Sequence, residues 1–367
     1  MRACFVAHGA AWSGSTRAFA DAASLLAARG YETCVVAPAG SDAERCLAAA
    51  GHDVIGVASG GGWMRAGWRL RRVISAHLTE VLFVHDDREH LAAAAAVRLA
   101  GRGAVVRRTA AGERLVLGRE GQLAMRLAAT GFVFAHADDM RGTEPPRGAL
   151  AAVVAPPGVP APAAATPRPA AAVGAIQPDV QRLVVFAGAD RRREMLVALR
   201  ALALFAPRRP TLRATVFSPA ADADAVRIEA AALGIAERLE WRTAGSRRDD
   251  VLAGAALAGA ALAWVIASGD DAVFAILDAL RAGVPVLGER SPLCARYVED
   301  GVTGVLRARA EDAEWASVVA ATLAHTERTD AMHAAARLSA ARWPLEAGTD
   351  GWLQVTEAVR NRTRWTV

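Results

Sequence analysis

The densest run of reactive side chains in this 367-residue sequence is His85-Asp86-Asp87-Arg88-Glu89-His90. Imidazoles and carboxylates ligate metals, but histidines five apart do not share a helical face. The run also misses the H-x-x-E-H zinc spacing by one residue, so no metal is expected. It follows an apolar strand-like segment, Val81–Val84, and the carboxyl end of a parallel strand is where ligands bind. His85 and Asp86 are therefore candidates for contacts to an acceptor. Asp222-Ala223-Asp224 has the form of a metal-binding D-x-D, yet it precedes a helical pattern and suits a negatively charged helix start. Arg191, Arg192 and Arg193 stand in a row after another strand pattern. A guanidinium fork grips phosphate at two points; the alternative is a solvated charge run. Asp270 and Asp271 open a helical pattern that carries a further carboxylate, Asp278, and on pattern alone the first two cap that helix.

All 43 basic residues are arginine, which excludes a lysine Schiff base and a P-loop lysine. The net charge of +5 is unevenly placed, with 18 arginines against 14 acidic residues in the first 165 positions. That excess is too mild for a nucleic-acid binder but biases the first half toward an anionic surface. The same half holds Trp63, Arg65, Trp68, Arg69, Arg71 and Arg72, with Val73, Ile74 and Leu78 on an apolar side. Such a helix either lies on an anionic membrane or is a surface helix with snorkelling arginines.

Cys4, Cys34, Cys46 and Cys294 form no C-x-x-C pair, and the first two sit in apolar runs, as buried thiols of a reducing cytoplasm do. The start of the chain is a short strand pattern without the length of a signal peptide. Val251 to Ser268 is free of charge over 18 residues, but alanine and glycine dominate it. A short helix, a turn and a buried strand are expected there rather than a membrane span.

The elements that must position these groups alternate. Ala3–Ala7 is an apolar run, Gly9–Ser15 a loop, and Phe19, Ala22, Ala23 and Leu26 recur at helical spacing before Glu32–Ala37 forms a second strand. Further strands are expected at Val54–Val57, Val81–Val84, Ala104–Val106 and Gly131–Ala135. Seven of the sixteen prolines fall between Pro156 and Pro178, a linker composition. A second series follows: strands at Leu183–Phe186, Arg213–Phe217 and Leu239–Trp241, helices at Glu194–Phe205 and Ala223–Leu233. Strand–helix alternation in both halves predicts an α/β chain of two Rossmann-like parallel-sheet domains facing across a cleft. The expected division is residues 1–160, an Ala/Pro-rich linker at 161–180, a second domain at 181–345, and a closing helix at 346–367.

Residues 278–306 read DALRAGVPVLGERSPLCARYVEDGVTGVL. Ala282-Gly283-Val284-Pro285-Val286 and Val298-Glu299-Asp300-Gly301-Val302-Thr303-Gly304 resemble the A-x-G-x-P-V and V-E-D-G-x-T-G elements of family 4 retaining glycosyltransferases, which have the GT-B fold. The likeness runs in order along most of the chain. Gly14-Ser15-Thr16 stands at the family's first glycine-rich loop, Pro157-Gly158-Val159 at its end-of-domain turn, and Leu233-Gly234-Ile235 with Leu239-Glu240-Trp241 in its second domain. The helices through Trp343 and Trp352 resemble the family's crossover back to the first domain.

The resemblance implies a metal-independent hexosyl transfer from a nucleotide sugar, UDP- or GDP-linked, to a lipid-linked or polysaccharide acceptor with retention. The nucleotide sugar is a substrate, no cofactor is permanently bound, and nucleic acid is no partner. It implies a cytoplasmic enzyme of polysaccharide biosynthesis, peripheral at the inner face of the membrane if the basic helix binds lipid. By analogy with the family's Glu-x7-Glu pair, Asp278 accepts from the ribose hydroxyls and Asp270 faces the sugar. The N–H groups of Val273 and Phe274 then hold the phosphates with Gly14, Ser15 and the 191–193 arginines. Arg108 falls where the family has a sugar-reaching histidine, which makes it a catalytic candidate beside Asp270. Both family glutamates are aspartates here, a G-F-G is Asp271-Ala272-Val273, and the Arg-x4-Lys clamp is missing. Two other functions fit the same architecture: a non-catalytic glycosyltransferase-like subunit or scaffold, and a nucleotide-sugar epimerase.

Overall fold

The structure, a computed structural model, describes residues 2–7, 9–143, 146–160, 181–188, 191–218, 223–243, 254 and 256–363. It divides into two units: Met1–Gly158 with Leu345–Val367, and Val159–Pro344.

The first unit runs β1 (Arg2–Val6), α1 (Gly14–Ala28), β2 (Glu32–Pro38), α2 (Asp42–Ala49), β3 (Val54–Val57), α3 (Gly62–His77), β4 (Val81–Val84), α4 (Asp87–Ala100), β5 (Ala104–Arg108), α5 (Arg119–Leu127), β6 (Thr130–Phe134), α6 (Ala137–Arg141) and β7 (Ala152–Val154). Its strands lie in the order β3-β2-β1-β4-β5-β6-β7, all parallel. A parallel sheet carries helices on both faces, so its strands are apolar throughout. Alternation then divides one strand between two cores. Ala3 and Phe5 of β1 pack with Phe19 and Phe83, while Cys4 and Val6 pack with Ile74 and Leu91. Phe5 stacks on Phe83 at 4.4 Å between ring centroids. All four cysteines are buried and free of disulfides.

The second unit runs β8 (Arg182–Ala187), α7 (Arg192–Phe205), β9 (Arg213–Ser218), α8 (Ala223–Ala232), β10 (Leu239–Thr243), β11 (Leu262–Ile266), α9 (Gly269–Arg281), β12 (Val286–Glu289), α10 (Pro292–Tyr297), β13 (Gly304–Arg307), α11 (Asp312–Ala324) and α12 (Thr326–Ala340). Its parallel order is β10-β9-β8-β11-β12-β13. The chain moves outward from β8 in one direction, then returns to lay β11 on its other side. This is the doubly wound arrangement, with its topological switch between β8 and β11. Trp264 of β11 packs with Leu199 of α7, Val226 of α8 and Trp315 of α11 in one core. The helix α9 instead buries Val273, Ile276, Leu277 and Leu280, none of which belongs to that core.

The chain enters and leaves the second unit side by side, with the Val159 N–H donating to the Trp343 carbonyl at 2.9 Å. It then forms α13 (Thr349–Thr363), which packs on β5, β6 and β7 of the first unit. Trp352 of α13 sits edge-on to Phe5, Phe19 and Phe83. Gly351 is required at that docking point, because a Cβ there would lie 2.2 Å from the Val154 carbonyl oxygen.

The expected strands are present, most of them one or two residues longer than the apolar runs that announced them. β7, β12 and β13 are additions: Ala152-Val153-Val154 is too short a run to stand out beside Pro156 and Pro157, and the other two lie within or at the edge of the 278–306 motif. The closing part of the 251–268 stretch is the buried strand β11, as expected; residues 251–253 and 255 lie outside the described residues, as does the 161–180 linker segment. Among the described residues no helix is long and apolar enough to cross a membrane.

Candidate functional site

The V-E-D-G-V-T-G segment is first of all a fold device. The Asp300 carboxylate accepts the Leu306 N–H at 2.9 Å and pairs with Arg290 and Arg307. Desolvation pushes its carboxyl up, but that N–H and the two guanidinium charges outweigh it and hold the group below the usual carboxylate range. The Thr303 hydroxyl accepts the Glu299 N–H at 2.9 Å, and Gly301 turns the chain at φ 82°. Together these bring β13 onto β12, which itself lies beside β11.

At the carboxyl ends of these strands lies a cavity of about 360 Å³, within the range of small-molecule sites. Arg191 and Arg193 reach it from the start of α7, Ile266 and Ala267 from the end of β11, Glu289 from β12, and Arg309 from just beyond β13. Trp264 and Trp315 form its aromatic wall, 5.3 Å apart between centroids. Glu194, three residues after the α7 N-cap Arg191, pairs with Arg191 at 3.5 Å and closely with Arg309. Glu289 lies 4.0 Å from Arg191. Cys294 also lines the cavity, and burial pushes its thiol up, so it is a poor nucleophile there.

The expected donor residues are divided by this geometry. Arg191 and Arg193 line the cavity; Arg192 is exposed outside it. Asp270 is 3% exposed in the first turn of α9, and Asp278 is half-buried two turns further, about 12 Å along the axis. Neither lines the cavity, although Ala267 at its edge leads directly into Ser268, the N-cap of α9. The expectation for Val273 and Phe274 is corrected by the helix frame. The intrahelical ladder of α9 already begins with the Ala272 N–H on the Ser268 carbonyl, and the two later N–H groups belong to it. The donors that this ladder does not use are those of residues 268–271.

In the first unit Gly14 and Ser15 open α1, whose N-cap Ser13 accepts the Thr16 N–H at 3.3 Å. The His85 ring stacks on Phe19 at 3.7 Å, and its Nε2 lies 2.9 Å from the Ser15 carbonyl oxygen, so the two expected loops do meet. Asp86 and Glu89 anchor the helix α4: the Asp86 carboxylate accepts the Glu89 N–H at 2.7 Å, and Glu89 accepts the His85 N–H at 2.8 Å. Asp87 pairs with Arg107 and accepts the Gly118 N–H at 2.7 Å. His90 is fully buried, its Nε2 3.0 Å from the Thr130 hydroxyl, and burial with the Arg107 charge pushes its imidazole down to about 3. Arg108, at the end of β5, is 1% exposed. Among the described residues no group of three or more His, Cys, Asp or Glu is placed to hold a metal. Asp224 sits in the first turn of α8, while Asp222 lies outside the described residues.

The basic tryptophan helix is α3. Val73, Ile74 and Leu70 are buried, whereas Met64 and Trp68 are exposed, with Arg71 over the Trp68 ring at 5.0 Å. Arg69 turns back to the Ala58 and Gly60 carbonyls at 2.6 and 2.7 Å.

Neither protein-family models nor curated proteins give a match to this chain. Solved structures do. Anabaena Alr3699/HepE, in complex with UDP and glucose, aligns over 98% of this chain and 100% of its own at a TM-score of 0.72 and 16% identity. The pneumococcal O-GlcNAc transferase GtfA, in complex with UDP and GlcNAc, aligns over 98% and 99% at 0.71 and 10% identity. The fold is that of the GT-B glycosyltransferases. A candidate UDP-N-acetylglucosamine 2-epimerase of Listeria monocytogenes also aligns, over 93% and 94% of the chains, at 0.61 and 18% identity.

Glu194, Glu289, Glu311, Glu314, Arg309, Trp264 and Trp315 are among the site-lining groups that sequence reasoning missed. Position was a signal for Glu194, on the helix that follows an expected strand, and for Trp264, inside one; Glu289, Arg309 and Trp315 belong to β12, the turn after β13 and α11, where no strand was expected.

Proposed function

We propose that the chain is a glycosyltransferase of the family 4-like retaining type, with the second unit binding the nucleotide-sugar donor and the first the acceptor. The observation that carries this is the cavity at the carboxyl ends of β8, β11, β12 and β13, at the switch point of a doubly wound sheet. It combines arginines suited to a diphosphate, carboxylates suited to hydroxyl groups, and an aromatic wall, in a fold whose neighbours hold UDP and a sugar. On this reading Asp278 accepts from the ribose diol, Asp270 faces the sugar, and the residues at the start of α9 help to hold the phosphates. Gly14 and Ser15 bind the donor phosphates, Arg108 is the second catalytic residue beside Asp270, and His85 and Asp86 contact the acceptor.

Retention in this chemistry needs no covalent side-chain nucleophile. The arginines stabilise the departing diphosphate, and the acceptor hydroxyl is held on the sugar face the diphosphate leaves. No metal is assigned a role. The acceptor is a lipid-linked or polysaccharide glycan, a choice supported by the exposed Met64 and Trp68 among the arginines of α3. Partition of the transferred sugar into a lipid extract separates the two acceptors.

Replacing Asp278 by alanine is expected to raise the dissociation constant for UDP or GDP about tenfold with an unchanged circular dichroism spectrum. Unchanged nucleotide affinity in the folded variant overturns its role. An epimerase, the second reading, has the Listeria likeness in its favour. It would return a nucleotide sugar epimeric at one carbon with no acceptor present, which product analysis of the same incubations detects.

A further inference from the structure

Two guanidinium groups from distant parts of the second unit converge on one carboxylate oxygen. Arg191, at the start of α7, and Arg309, just beyond β13, both pair with Oε1 of Glu194. Glu194 is the least exposed of the three, at 20% for its side chain against 30% and 58%. All three line the cavity at the strand ends. A carboxylate gripped by two guanidiniums occupies the position that a phosphoryl group would take, because both anions offer oxygens to the same planar forks. The same cavity, about 360 Å³ in all, also holds Glu289, Glu311 and Glu314 as acceptors for hydroxyl groups and Trp315 on its aromatic wall.

We infer that Arg309 and Arg191 together form the seat of the donor's diphosphate, and that Glu194 competes for that seat. The inference rests on the second unit being the donor unit, and it adds a residue that no sequence pattern supplied. Arg309 provides the second cation in a chain that lacks the Arg-x4-Lys arrangement. Its own position supports this: among the described residues its ion-pair partner is the Glu194 carboxylate, and its half-exposed side chain can exchange that partner for a ligand without unfolding anything.

Glu194 then sets the threshold for binding. An incoming diphosphate must displace or share a carboxylate already held by both arginines, so the site favours a diphosphate, which offers one phosphoryl group to each guanidinium, over a single phosphate. Removing the Glu194 charge should tighten anion binding, while removing Arg309 should loosen it. A merely structural ion pair predicts no tightening on loss of the Glu194 charge, since an arginine left without its carboxylate then gains nothing toward a ligand.

The test is calorimetric titration of the full chain with inorganic pyrophosphate, UDP and GDP. Arg309→Gln is expected to raise the dissociation constant for pyrophosphate, and for whichever nucleoside diphosphate binds, about ten- to hundredfold. Glu194→Gln should lower both several-fold. Arg200→Gln, an equal loss of charge on the α7 surface where Arg200 pairs with Glu229, should change neither. Pyrophosphate and nucleotide affinities that survive Arg309→Gln unchanged overturn the inference. If pyrophosphate binds and is lost in Arg309→Gln while neither nucleotide binds the wild type, the anion seat stands and the donor reading falls. If the wild type binds none of the three, both fall.

Discussion

A Gly304→Ala chain is expected to lose the second unit's native packing under conditions that leave the wild type folded. Gly304 is the first residue of β13 and pairs with Val286 of β12. A Cβ at this position would lie 2.2 Å from the Val286 carbonyl oxygen, 2.9 Å from its nitrogen and 2.8 Å from a methyl of Val298. Two of those neighbours are backbone atoms of a central strand, so the clash cannot be relieved by turning a side chain. Relief requires β13 to move away from β12, which breaks the ladder and the Asp300 bond to Leu306 that terminates it. Overpacking of this severity costs about 3 kcal/mol. Urea unfolding followed by tryptophan fluorescence should show an early transition for the second unit, with Val302→Ala, at an exposed neighbouring position, as the unaffected control. A Gly304→Ala transition within ~0.5 kcal/mol of the wild type would mean that the strands are not packed as described.

The second large effect is acid sensitivity in the first unit. His90 is buried against the Thr130 hydroxyl, which itself donates to the Ala128 carbonyl and therefore accepts from Nε2. The imidazole is neutral, with burial and the Arg107 charge pushing it down to about 3 from an ordinary 6.5. Its folded value lies below its unfolded one, so between pH 6.5 and pH 3 the unfolded chain binds a proton that the folded chain does not. Stability is fully present above 6.5 and falls as the pH drops, by up to ~1.4 kcal/mol per pH unit for this one group. Between pH 6.5 and 4.5 the loss is on the order of 2–3 kcal/mol. A His90→Gln variant keeps a donor toward Thr130 but does not titrate, and its stability should decline less steeply by about one proton. Equal slopes for the two chains would contradict the neutral, buried imidazole.

The strands were legible because a parallel sheet covered on both faces needs short, continuous apolar runs, such as Val81–Val84 or the Trp264–Ile266 end of the uncharged stretch. The glycine-bearing turns around them were legible for the same local reason. What could not be read was any property that depends on two elements at once. Glu194 and Arg309 are more than a hundred residues apart, and nothing in either segment announces the other. The His85–His90 run looked like one chemical cluster, but the helix beginning at Asp87 sends its members in different directions, two to cap the helix, one to Arg107 and one into the core. The error over Val273 and Phe274 was one of helix phase. Ser268 is the N-cap, two residues before the expected Asp270, so the donors outside the helix ladder are those of residues 268–271 and not those of Val273 and Phe274. The motif at 298–304 led to the right fold for a reason that is largely structural, since its aspartate, threonine and glycines bind one another and the neighbouring strands.

The central claim is that the second unit binds a nucleotide sugar, and thermal unfolding of the whole chain with UDP, GDP, ADP and their common hexose derivatives tests it most directly. Binding to the folded state alone stabilises by about 4 kcal/mol at a thousandfold excess over the dissociation constant. The account predicts a concentration-dependent rise in melting temperature for one uridine or guanosine diphosphate and its sugar, with little response to the corresponding monophosphate. A melting temperature that no nucleotide or nucleotide sugar moves, in a chain that is folded, would contradict it and leave the GT-B fold serving a scaffold.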